Sequence, residues 1–313
     1  MMGCMSVKGS DEPPACVVAP GGSGEGAGMS QGEGLDGLRA APRGVGSDAS
    51  GRHPARRPGG NGLAMPPYVS QWGDMACNVA AIERGEDPAG VFDWRTQGYP
   101  NVGAYRLWSR STCGLACLEE ALLARSPEGI RPFANKWELI RRAIDQGVFR
   151  VEGDPASDRF ATDGLIYRPF VEWVARDFGL AAVSRPDLPI DEVADLVGGG
   201  AWLAMLSVSY EIRTPDVEPT HVGGHLVLAF DALDDAGGAG TPGAEAAGPA
   251  VDAALEGAPG ASGHGCRLVF HNSSGLAPTP DRPDRPNSAV AVTLPLERFG
   301  AFYAGRGVLI RRG

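Results

Sequence analysis

Two thiols four residues apart carry the most chemistry in this chain. Cys113 and Cys117 lie in the run Trp-Ser-Arg-Ser-Thr-Cys-Gly-Leu-Ala-Cys-Leu-Glu-Glu-Ala-Leu-Leu, residues 108–123. The polar stretch stops at the first cysteine. After it, Leu115, Leu118 and Leu122 recur at three- and four-residue spacing, which predicts a helix over 112–124 with Glu119 and Glu120 on its wet side. With Thr112 as N-cap, Cys113 falls in the first turn, where N–H groups lack helical partners and the helix dipole favours a thiolate. Cys117 lies one turn deeper among Ala116, Leu118 and Ala121, where burial raises a thiol pKa. Cys113 is thus the reactive candidate and Cys117 a packing residue. Taken alone, Cys113 also fits a small buried hydrophobe, so its partners decide.

A thiol nucleophile needs an imidazole to take its proton and pass it to the leaving group. The chain has five histidines, and His53 and His264 lie in Gly- and Pro-rich composition. His225 follows Gly223-Gly224 and opens the apolar strand pattern His-Leu-Val-Leu-Ala-Phe. The next strand pattern, Cys-Arg-Leu-Val-Phe-His, ends at Asn272 before Ser273-Ser274-Gly275. An amide there can hold an imidazole in one tautomer, although by itself it reads as an Asx-turn residue. A zinc set of Cys113, Cys117, His221 and His225 is the rival arrangement. It is disfavoured because the cysteines ride an apolar helix and Val-Gly-Gly between the histidines spoils a helical spacing. No metal and no cofactor are expected.

The order of cysteine on a helix, histidine opening a strand and asparagine closing the next resembles the papain-like cysteine peptidases. Their Asn-Ser-Trp-Gly corresponds to Asn272-Ser273-Ser274-Gly275 here. More similar still is the bacteriocin-processing family of double-glycine leader peptidases. Its Cys-Gly-x-Ala-Cys motif matches Cys113-Gly114-Leu115-Ala116-Cys117, and its small-residue pair before histidine matches Gly223-Gly224-His225. Asn272 stands where that family carries aspartate, a departure towards papain. The resemblance spans about residues 66–311. It implies a papain-like fold, Cys113, His225 and Asn272 as the catalytic set, and a glutamine whose amide helps the Cys113 N–H bind an oxyanion. Gln71, in Tyr-Val-Ser-Gln-Trp, matches that glutamine but lies 42 residues upstream of Cys113; Gln97 competes for the role. The implied activity is hydrolysis of peptide or amide bonds through a thioester. An acyltransferase using the same residues, or a peptide-binding maturation factor that keeps the fold without turnover, are the alternatives.

The surrounding elements must position these residues. Helical patterns recur at 133–146, 167–178 and 190–197, and strand patterns at 201–208, 225–233, 266–271, 289–294 and 307–311, with a short helix at 296–303. Helices first and an antiparallel sheet second make an α+β domain over 65–313, interrupted by a low-complexity insertion at 234–265. Residues 1–64 are Gly-, Ser- and Pro-rich and read as disordered. The loop Glu211–Thr220 is a polar candidate for a cleft wall. A net charge of −10 over 313 residues argues against nucleic acid. No run approaches a membrane span and the N-terminus lacks the apolar stretch of a signal peptide, so the reducing cytoplasm is the expected compartment. Six scattered cysteines fit free thiols.

Overall fold

Asn, Asp and Thr residues mark where helices begin, and the computed structural model shows what they start. It describes residues 60–126, 129, 131–234, 265–276 and 289–312. The N-terminal segment up to residue 59, the insertion from 235 to 264, and with them His53 and His264, lie outside the described residues. All described residues belong to one compact unit, Pro42–Gly313.

The Asp74 carboxylate accepts from the Cys77 N–H to open α1 (Met75–Asn78). Asn101 accepts from Ala104 N–H to open α2 (Val102–Ser111), and Asn135 accepts from Glu138 N–H to open α4 (Lys136–Asp145). Between them runs α3 (Cys113–Arg125), joined to α2 by the single residue Thr112. A hairpin of β1 (Phe149–Gly153) and β2 (Phe160–Leu165) follows, then α5 (Tyr167–Phe178), β3 (Ala182–Arg185) and α6 (Ile190–Gly198). The rest is β4 (Trp202–Ser209), β5 (Gly224–Asp234), β6 (Cys266–His271), β7 (Val292–Pro295), α7 (Leu296–Phe302) and β8 (Tyr303–Arg311).

Six of these strands form one antiparallel sheet in the order β3-β8-β4-β5-β6-β7. Strand alternation splits its side chains between two cores. Leu203, Met205, Leu226 and Leu228 pack with α2, α3, α4 and α5, while Leu206, Val208, Val227 and Ala229 pack with α6 and α7. The fold is α+β, as its sequence implies, with helices on both faces of the sheet.

Three expectations are corrected. The half expected to hold helices first also contains the β1–β2 hairpin and β3, and α2 takes in most of the polar stretch before Cys113. Glu119 and Glu120 are buried, at 2% and 0% exposure, so α3 has no wet side in its middle turns. Glu119 forms a buried ion pair with Lys136. Glu120 instead accepts from the Val69 N–H at 3.0 Å, and burial pushes its carboxyl well above the ordinary range, towards the neutral acid.

Candidate active site

Cys113 is the first residue of α3 and is half-buried, whereas Cys117 is fully buried. Burial pushes the Cys117 thiol well up, so it is the inert member of the pair. Thr112 stands at the helix start, and its carbonyl accepts from Ala116 N–H at 2.9 Å. Its side chain does not cap, contrary to the sequence expectation. The hydroxyl is buried without a hydrogen-bond partner among the described residues, because φ −100° and ψ 19° differ from the extended backbone that a side-chain cap needs.

The helix start is set against the sheet by Gly114. A Cβ added there would lie 2.5 Å from Leu165 Cδ1 and 2.9 Å from Leu226 Cδ1. Leu226 is the residue after His225, so the glycine lets the turn carrying Cys113 approach the end of β5 that carries the imidazole. On the strand side, Gly223 and Gly224 take φ values of 86° and 92°, which admit glycine with little strain.

The His225 ring is buried at the end of β5, with Nε2 2.9 Å from Asn272 Oδ1. Asn272 lies immediately beyond β6, and its N–H donates to the Ala289 carbonyl. Two residues that the motif reading left without a role complete the cluster. Ser274 donates to Asn272 Oδ1 from its hydroxyl at 2.8 Å and from its N–H at 3.2 Å, and Arg213 Nε donates to the Ser274 hydroxyl at 2.9 Å. Arg213 comes from the 3-10 turn after β4, in the loop already noted as a possible cleft wall. The Ser-Ser-Gly turn was a signal for Ser274; nothing in the spacing marks Arg213. Burial first, and then the Arg213 charge, push the imidazole down to about 3, against a favourable bond to Asn272. The ring is therefore neutral near pH 7.

Gln71 spans the 42 residues to Cys113 by folding back. It is buried, its N–H donates to the Ser273 carbonyl at 2.9 Å, and its Oε1 accepts from the Ser273 hydroxyl at 3.2 Å. Its Nε2 donates to the Ser109 carbonyl at 2.9 Å, in the last turn of α2, one turn before Cys113. The segment around it is tied down by further bonds. Tyr68 donates to the Asn272 carbonyl, Trp72 Nε1 donates to the Ser274 carbonyl, and His271 Nε2 lies 2.8 Å from the Pro66 carbonyl. A small cavity of about 30 Å³ lies beside Gln71. Gln97 lines it too, with Glu119 and Lys136.

The structure thus joins His225, Asn272 and Gln71 through the 272–274 turn and sets the Cys113 turn against Leu226. No protein-family model, curated protein or solved structure matches the chain. His221 lies apart from Cys117, against Glu211 and the Tyr210 ring. Among the described residues no three His, Cys, Asp or Glu side chains stand together as a metal site, and no helix is long and apolar enough to cross a membrane.

Proposed function

We propose that this chain is a papain-like cysteine peptidase acting on peptide or amide carbonyls, with Cys113 as nucleophile, His225 as base and acid, and Asn272 as its orienting partner. The observation that carries the reading is the 2.9 Å contact of His225 Nε2 with Asn272 Oδ1, at the strand end against which the Cys113 turn packs through Gly114. Asn272 occupies Nε2, which leaves Nδ1 as the nitrogen for proton transfer.

The steps follow from these roles. His225 Nδ1 takes the Cys113 proton as sulfur adds to the carbonyl carbon. The resulting oxyanion accepts from the Cys113 backbone N–H and from the Gln71 amide hydrogen directed away from Ser109, contacts that elsewhere contribute about 3 kcal/mol each. The imidazolium then protonates the departing amine and leaves a thioester on Cys113. Water, deprotonated by the same ring, releases the acid and the free thiol. An amine in place of water would make the reaction an acyl transfer. The reducing cytoplasm suits this chemistry, since it keeps a nucleophilic thiol free.

The test combines intact-protein mass spectrometry with peptide substrates. A thioester adduct on the wild type, absent from Cys113→Ala and accumulating without release in no variant but those that slow water attack, supports the reading. Peptides left unchanged, with no adduct on wild-type Cys113 at saturating peptide, would leave a peptide-binding factor. Product analysis with added amines separates hydrolysis from transfer.

A further inference from the structure

We propose that Arg213 and Ser274 are positioning residues that lock the Asn272 amide and, through it, the tautomer of His225. This rests on the peptidase reading for its catalytic consequence, but not for its structural content.

The argument is one of donors and acceptors. The Ser274 backbone N–H can only donate, so the Asn272 atom 3.2 Å from it must be the carbonyl oxygen. Arg213 Nε–H donates into the Ser274 hydroxyl, whose own proton has two groups in reach, Asn272 Oδ1 at 2.8 Å and His225 Nε2 at 3.2 Å, and the shorter contact is to Oδ1. Oδ1 therefore faces His225 Nε2 as an acceptor and requires Nε2 to carry the hydrogen. The lone pair is left on Nδ1.

Nothing comparable acts at the other end of the amide. Asn272 Nδ2 is buried without a hydrogen-bond partner among the described residues. The orientation is thus held from the oxygen side alone, by Ser274 and the ring. Were the amide to turn over, Nδ2 would face Nε2 as a donor, the hydrogen would move to Nδ1, and the base would be lost. The charged group that faces this cluster from the adjacent turn is Arg213, and its neighbours Glu211 and His221 pair with each other at 3.3 Å.

Nitrogen-15 NMR of the histidine rings in the full chain reads the tautomer directly. The wild type is expected to show His225 as Nε2–H. Ser274→Ala and Arg213→Met leave the residue-274 N–H on Oδ1 but remove or misdirect the hydroxyl donor. They are expected to populate Nδ1–H in part, with kcat lowered about 10-fold, the worth of one hydrogen bond and far short of the roughly 10⁴-fold cost of a wholly wrong tautomer, and with KM changed less than threefold. Ser274→Thr, which keeps the hydroxyl, is expected to restore both. Should Ser274→Ala fail to fold, Arg213→Met carries the same measurement. An unchanged Nε2–H tautomer in the folded variants, with any loss of kcat matched by an equal loss of thermal stability, overturns the proposal. A tautomer shift in a protein that cleaves no peptide would retain the lock and reject the peptidase reading.

Discussion

At the scale of single residues, the decisive property of His225 is that it is uncharged at rest. Its surroundings offer an amide and a guanidinium, and neither stabilises an imidazolium as a carboxylate would. Asn272→Asp changes that balance. The added carboxylate is expected to raise the ring pKa and to move the acid limb of the kcat/KM profile up by about one pH unit or more. A limb that stays in place would remove His225 from the role of base. The pairing of His225 with Asn272 was readable from residue type and order. Arg213 was not, because its contact with Ser274 joins residues 61 apart that share no motif. Charge state was equally hidden, since it depends on burial that the local sequence does not record.

At the scale of elements, α3 explains both a success and an error. Its start was legible from the change of polar run to apolar pattern, and the structure begins it at Cys113. Its carboxylates were placed on a wet face that does not exist, because the segment carrying Val69 and the start of α4 close over them. The hairpin escaped notice for the opposite reason: β1 and β2 bury few side chains and so carry little apolar pattern. Two outcomes follow for α3. Gly114→Ala gains helix propensity of about 1 kcal/mol but drives a methyl into Leu165 and Leu226, and overpacking of this kind typically costs about 1–3 kcal/mol. The variant is expected to melt lower and to label more slowly at Cys113; a rise in melting temperature would show the contact to be loose. Glu119→Ala removes the charge that Lys136 faces in its buried site, where burial alone pushes that ammonium down to about 7. Breaking such a pair costs on the order of 3–5 kcal/mol. Denaturant unfolding is expected to show that loss, and Glu119→Leu with Lys136→Met to recover most of it.

At the scale of the whole molecule, two buried histidines couple folding to pH. His271 accepts from Ala291 N–H at Nδ1 and holds the Pro66 carbonyl at Nε2, so a second proton would break the first of these bonds. Burial pushes His271 down to about 4 and His225 to about 3. Both lie below the ordinary value near 6.5 of an unfolded chain. Their contribution is therefore complete above about pH 6.5 and is lost as pH falls towards 4 for His271 and 3 for His225. For His271 the whole window is worth on the order of 3 kcal/mol. Urea titrations from pH 7.5 to 4.5 are expected to show a shallower decline for His271→Gln than for the wild type. Parallel declines would mean that other groups govern acid unfolding.

The ties from Gln71 to Ser273 and from Tyr68 to Asn272 bridge 202 and 204 positions of the chain. A ribosome that has translated Cys113 has yet to make the turn that holds both the glutamine and the imidazole. The centre therefore comes into being only after most of the polypeptide has emerged. A peptidase of the kind proposed would be silent during its own synthesis.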